Sequence, residues 1–248
     1  MPRSLNVYFV PSEFRPEQVA GGIAVIVDIL RASTTITFAL DNGAAGVVPC
    51  ETVEDARQIR STGSVQSCLL GGERGGVRID GFDLSNSPDD YDRATVAGRL
   101  IGFTTTNGTL ALLRSAQAER IIVGAFVNLS AVVRDLLGRP HPIHIVCAGT
   151  NGFVTAEDVL LAGALVQRLC EAEDAEVEPS DAAEIARHHW LQRCRDGSSE
   201  SVEAALRISH GGRNLIKLGY QNDIATAARI DAVSALGVRQ PDGVIRLD

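Results

Sequence analysis

Aromatic residues are scarce in this chain: they make up 4% of its 248 residues, with one tryptophan, and methionine also occurs once. A core built from it must rest on small aliphatic side chains, within a hydrophobic content of 45%. No apolar run approaches the ~18–20 residues of a membrane-spanning helix. The opening Met1-Pro2-Arg3-Ser4-Leu5-Asn6 has no signal-peptide apolar region, so a cytoplasmic protein is expected. Basic residues are outnumbered, and the formal charge of −8 argues against a nucleic-acid or anionic-membrane surface. Cys50, Cys68, Cys147, Cys170 and Cys194 are odd in number and form no C-x-x-C pair. They read as reduced structural thiols. Zinc-protease, hydrolase-elbow, Walker A and dinucleotide fingerprints are all missing. The five histidines have no zinc-ligand spacing.

Apolar runs alternating with helical segments are what the chain does have. Strands are expected at 5–10, 23–27, 46–48, 69–70, 100–103, 120–123, 144–147 and 243–247. Helices are expected at 36–40, 51–61, 110–116, 129–137, 157–171, 182–195, 201–209, 214–218 and 224–236. The run Ile23-Ala24-Val25-Ile26-Val27 is apolar without alternation, as in a strand buried on both faces. Residues 1–248 read as a single α/β domain: a three-layer α/β/α arrangement around a largely parallel sheet. Residues 171–210 form a helical excursion, acidic at 171–181. Segments 23–40, 100–113 and 144–169 each run strand, Thr/Gly/Ser-rich turn, helix, a repetition consistent with internal duplication.

In doubly wound sheets ligands sit beyond the carboxyl ends of the strands, which makes those three turns the candidate site. Residues 31–35 (Arg31-Ala32-Ser33-Thr34-Thr35) and 104–109 (Thr104-Thr105-Thr106-Asn107-Gly108-Thr109) offer hydroxyls and N–H groups at helix starts. Such groups cradle phosphate, and Arg31 adds a two-pronged donor. Plain N-capping is the simpler reading of either turn alone. Carboxylates accompany them: Asp28 directly after a buried strand, Glu73 in the Gly-rich stretch 71–76, Asp83 in a polar loop, and Glu157 and Asp158 at a helix start. Hard oxygen donors of this kind suit Mg²⁺. Thr155-Ala156-Glu157-Asp158 is equally a capping box, as is Thr52-Val53-Glu54-Asp55.

Taken in order, the motifs resemble the 2-phosphosulfolactate phosphatase family. The resemblance rests on residues 27–35, on Gly72-Glu73-Arg74 with residues 81–88, and on Thr105-Thr106-Asn107-Gly108-Thr109. It continues through residues 148–152 with Glu157-Asp158 and Ala162-Gly163, and ends in Gly212-Arg213-Asn214-Leu215, Gly219 and Asp223-Ile224. It implies an α/β/α fold and Mg²⁺-dependent hydrolysis of (R)-2-phospho-3-sulfolactate, a step of coenzyme M biosynthesis in methanogens. On this reading Asp28, Arg31, Glu73 and Asn107 carry catalysis. Ser33, Thr34, Thr35, Thr106, Gly108, Thr109, Gly149 and Asn151 bind substrate. Arg74, Arg213 or Asn107 holds its carboxylate and sulfonate. The metal ligands come from Asp28, Glu73, Asp83, Glu157 and Asp158. If a covalent phosphoenzyme forms, Asp28 is the candidate nucleophile, although no D-x-D pair accompanies it. A homodimer is the general expectation for such enzymes. A non-catalytic small-anion binder and a phosphatase of another phospho-acid are the rival readings.

Overall fold

The structure is a computed structural model describing residues 2–62, 68–172 and 176–248. Its strands are β1 (Arg3–Tyr8), β2 (Ile23–Val27), β3 (Gly46–Pro49), β4 (Cys68–Arg74), β5 (Val77–Arg78), β6 (Leu100–Thr104), β7 (Arg120–Gly124), β8 (Ile143–Cys147), β9 (Val177–Pro179), β10 (Gly237–Arg239) and β11 (Ile245–Leu247). Its helices are α1 (Ala32–Asp41), α2 (Val53–Thr62), α3 (Arg93–Val96), α4 (Gly108–Arg114), α5 (Leu129–Leu137), α6 (Ala156–Glu171), α7 (Asp181–Arg193), α8 (Ser199–Ile208), α9 (His210–Leu218) and α10 (Gln221–Ala227). No described helix is long and apolar enough to cross a membrane, and all five cysteines are free thiols.

The strands form one mixed, mostly parallel sheet in the order β5-β4-β6-β3-β11-β10-β7-β2-β8-β1-β9. Strand β2 lies between β7 and β8, parallel to both, with Val27 beside Gly124 and Cys147. Its continuous apolar run is explained by burial on both faces: Ile23, Val25 and Val27 join one core with α5 and α6, while Ala24 and Ile26 join another with α1 and α4. A second parallel group, β4-β6-β3, is joined to the first through antiparallel ladders from β7 to β10, β11 and β3. Those three reversals give the two groups opposite senses along the ladder. Right-handed twist of roughly 20–25° per strand accumulates to about a third of a turn over the five steps between β2 and β6. The chain leaving β2, β6 and β8 nevertheless meets around one cavity, with the tip of β4 beside it.

Three expected elements differ in extent. The Gly-rich stretch 71–76 is no loop: β4 runs through Glu73 and Arg74 and pairs with β5 across a two-residue turn. Both turn residues, Gly75 (φ 63°) and Gly76 (φ 86°), take the left-handed conformations such hairpins require. Gly72 is equally constrained, since a Cβ there would lie 2.0 Å from the Thr104 carbonyl of β6. The helix expected over 224–236 stops at Ala227. Tertiary bonds take the chain beyond it: Asp231 N–H donates to the Phe126 carbonyl (3.0 Å), Val233 N–H to Val127 (3.0 Å), and the Asp231 carboxylate accepts from Ser130. Of the acidic segment 171–181, residues 173–175 lie outside the described residues, and Val177–Pro179 is a strand paired with β1.

Candidate active site

The cavity at the strand ends has a volume of about 360 Å³. Asp28 after β2, Glu73 on β4, Thr106 and Asn107 after β6, and Thr150 and Asn151 after β8 line it, together with Arg31 and the start of α9. The sequence patterns point to most of these residues; α9, expected to contribute Arg213, lines the cavity through His210, Gly211, Asn214 and Leu215 instead, and the 81–88 motif lines it through Asn86.

Asp28 is the hub. Its Oδ1 accepts from the Ala32 N–H (3.3 Å) and its carbonyl from the Ser33 N–H and hydroxyl (both 2.8 Å). The start of α1 is therefore held by Asp28 itself rather than offered to an anion. Its Oδ2 accepts no hydrogen bond among the described residues. Burial, reinforced by the charges of Glu73 and Glu157, raises the Asp28 pKa to about 7, against the pull of the Ala32 N–H and Arg31. Gly108 explains how a helix start fits so close, because a Cβ there would lie 2.7 Å from Asp28 Oδ2.

The other carboxylates differ in how far they are committed. Glu73 is buried; its Oε1 accepts from the Thr106 N–H (2.8 Å) and hydroxyl (2.9 Å), and Oε2 from the Gly76 N–H (2.7 Å). Glu157 accepts from the Gly211 N–H at Oε1 (3.1 Å), while its Oε2 is buried with no partner. Burial raises its pKa. Asp158 is saturated: Oδ1 accepts from Ile29 N–H (3.0 Å), and Oδ2 from Gly149 N–H (3.0 Å) and Thr155 Oγ1 (3.1 Å). Burial, then the charges of Asp28 and Glu157, push its pKa well up. Asp158 thus ties the ends of β2 and β8 together instead of completing a capping box. At Thr52 and Asp55 the same sequence pattern does form the box, with reciprocal bonds of 2.9 and 3.0 Å.

Arg31 is 2% exposed. It donates to Asp223 Oδ2 (2.7 Å) and the Gly76 carbonyl (2.6 Å), and its guanidinium lies 4.4 Å from the Tyr220 ring centroid. Asp223 also accepts from Ser87 Oγ (2.7 Å). Asp223 and Tyr220 lie almost two hundred residues from Arg31, so no local pattern could have announced them as its partners. Asn107 Oδ1 accepts from the Asn151 N–H (2.9 Å), which commits its carbonyl end and leaves Nδ2 as the free donor.

Several expected site residues lie elsewhere. Asp83 pairs with Arg60 and accepts from the Leu70 N–H (2.8 Å), apart from the cavity. Ser33, Thr34 and Thr35 sit on α1 rather than in a turn. Their hydroxyls donate to the carbonyls of Asp28, Ile29 and Asn86, which accounts for hydroxyls at a buried helix start without any ligand. Thr109 Oγ1 accepts from the Thr105 N–H (3.3 Å). Arg74 donates to the Glu73 carbonyl and to Thr104 Oγ1 (3.0 Å), and exposed Arg213 to the Ile208 carbonyl. Neither arginine lines the cavity.

The arrangement suits a hard cation. Asp28 Oδ2 and Glu157 Oε2 are unpartnered carboxylate oxygens, and Glu73 Oε2 keeps one lone pair. Among the described residues no three Asp, Glu, His or Cys side chains are grouped so as to hold a metal ion on their own. Mg²⁺ does not need such a group, since one or two carboxylates, waters and substrate oxygens complete its shell.

A model of the family described as 2-phosphosulpholactate phosphatase matches residues 8–241. The chain is 40% identical over 232 residues to a protein of Symbiobacterium thermophilum, covering 94% of this chain and 97% of that one. It is 38% identical over 241 residues to a protein of Parasynechococcus marenigrum (96% and 97% covered) and 40% identical over 228 residues to one of Deinococcus radiodurans (91% and 89% covered). Each of the three is named probable 2-phosphosulfolactate phosphatase.

Proposed function

The chain belongs to the 2-phosphosulpholactate phosphatase family, and from that premise we propose that it hydrolyses (R)-2-phospho-3-sulfolactate, or a closely related small acidic phosphoester, with Mg²⁺ as cofactor. It is a phosphoric monoester hydrolase, releasing phosphate and the free hydroxy acid. One observation carries the metal requirement. The lining residues Asp28 and Glu73, with Glu157 behind them, face a single guanidinium that is already paired with Asp223. An anionic ester entering such a cavity is repelled unless a cation comes with it.

Asp28 and Glu73, the carboxylates that line the cavity, are the residues that would hold Mg²⁺. When bound, Mg²⁺ would supply polarisation of the phosphoryl oxygens and activation of a water nucleophile. The chain supplies the positioning. Arg31, fixed by Asp223, the Gly76 carbonyl and Tyr220, directs its remaining N–H groups at phosphoryl oxygens. Asn107 Nδ2 donates from the side where the β6 and β8 turns meet. Donors fixed in advance stabilise charge as it develops without having to reorganise, which is why their rigidity matters to rate. A binding protein with no hydrolytic role would be weakened by the same three carboxylates.

A phosphate-release screen with Mg²⁺ over the phosphoesters of sulfolactate, lactate and glycerate tests the proposal. The expected outcome is release that is fastest from phosphosulfolactate or a close analogue. Absence of release from every ester would refute it.

A further inference from the structure

Four carboxamides line the cavity, Asn86, Asn107, Asn151 and Asn214, and none has a bonded Nδ2 among the described residues. Asn86 is 4% exposed, yet its Oδ1 is buried without a partner. Leaving a buried polar group unmet is destabilising. Its backbone is fixed: the Asn86 carbonyl accepts from Thr35 Oγ1 (2.9 Å), and the neighbouring Ser87 bonds to the Asp223 that holds Arg31. Asn214 approaches from α9. A Cβ on Gly76, whose carbonyl accepts from Arg31, would lie 3.5 Å from Asn214 Nδ2. Asn86, Arg31, Gly76 and Asn214 thus build one wall of the cavity.

We propose that Asn86 and Asn214 form, beside Arg31, a subsite for the acidic group of the substrate that is not transferred, a sulfonate or a carboxylate. The proposal rests on the phosphatase reading above. Such a group carries one charge and is weakly basic, so neutral amide donors bind it without competing with the guanidinium for the doubly charged phosphoryl group. Oδ1 is the buried end of the Asn86 amide, and Nδ2, which donates to none of the described residues, is the end left to donate to an oxyanion. The space is sufficient: at ~30 Å³ per water, 360 Å³ corresponds to about a dozen waters, which leaves room for a second acidic group beside the phosphoryl.

The test crosses two variants, Asn86→Ala and Asn214→Ala, with three substrates. These are 2-phospho-3-sulfolactate, phospholactate (no sulfonate) and 2-phosphooxyethanesulfonate (no carboxylate). Each variant is expected to lower kcat/KM at least tenfold for the full substrate. It should leave the truncated substrate that lacks the recognised group within twofold of wild type, which identifies that group. Equal losses on all three substrates, or no loss on any, would overturn the subsite. Asn214 is exposed, so its variant stays informative if the buried Asn86 variant does not fold. Calorimetric binding of 3-sulfolactate, expected to weaken tenfold in Asn214→Ala, separates the two readings. If wild type releases no phosphate from any ester, the phosphatase reading fails, and unchanged binding would then sink the subsite as well.

Discussion

Replacing Asp28 with Asn should make the metal-free protein more stable and the enzyme inactive. The carboxyl of Asp28 titrates near 3.8 when unperturbed and at about 7 in the folded chain. Because the folded value is the higher one, the folded state holds the extra proton. The associated stability is fully present below about pH 4 and is lost as pH rises through 7. About three units at 1.36 kcal/mol each give a ceiling of ~4 kcal/mol for the strain of the ionised group. Asn keeps the acceptor for the Ala32 N–H and carries no charge. Its own burial still has a cost, so a gain of about half that ceiling, ~2 kcal/mol, is expected above pH 7. For a chain of this size that corresponds to roughly 4–8 °C in Tm. Thermal melts of both proteins in EDTA at unit intervals from pH 4 to 8 check this. The curves should coincide near pH 4 and diverge above pH 6, and Mg²⁺ at pH 8 should raise the Tm of wild type only. Parallel melts across the range would refute the reasoning that Asp28 is a strained, buried carboxylate.

Gly108→Ala places a Cβ 2.7 Å from Asp28 Oδ2, so that the carboxylate must shift. A loss of kcat/KM of at least tenfold with a far-UV circular dichroism spectrum like wild type is expected. Arg31→Lys removes the fork that joins Asp223 to the Gly76 carbonyl. Turnover should fall about a hundredfold, and denaturant melts should show a loss of about 2–4 kcal/mol, because the buried Asp223 carboxylate loses its bonded partner. Asp83→Asn is the control: the half-exposed pair with Arg60 is worth at most about 1 kcal/mol. Mg²⁺-dependent phosphate release by that variant should stay within twofold of wild type.

Local pattern made the strand β2, the helix α5 and the three strand–turn–helix units legible, because burial on both faces and 3.6-residue periodicity are written in adjacent residues. The places of Asp28, Arg31, Glu73 and Asn107 in the cavity lining were legible for the same reason: each follows or ends a core strand. What decided the remaining residues was long-range. Thr155-Ala156-Glu157-Asp158 and Thr52-Val53-Glu54-Asp55 read alike, and only the third dimension shows that Asp158 serves two strand ends while Asp55 caps a helix. Asp83 and Arg213 carry the right charges for the site, but their bonds run to Arg60 and Ile208. Asn86 and Asp223 fall within the motifs that carry the family resemblance, but their roles beside Arg31 are long-range: an asparagine in a polar loop and an aspartate in a helix start show no link to it until the chain is folded. The extended β4 hides behind its glycines, which normally mark loops; here Gly72 permits contact with β6, and Gly75 and Gly76 make the turn.

The most direct test is phosphate release from (R)-2-phospho-3-sulfolactate by protein stripped with EDTA, measured before and after Mg²⁺ is added, with Asp28→Asn alongside. The expected result is no turnover in EDTA, recovery on adding Mg²⁺, and no recovery in the variant. Turnover that persists undiminished in EDTA, or a variant within threefold of wild type at saturating Mg²⁺, would contradict a cation-dependent site organised around Asp28.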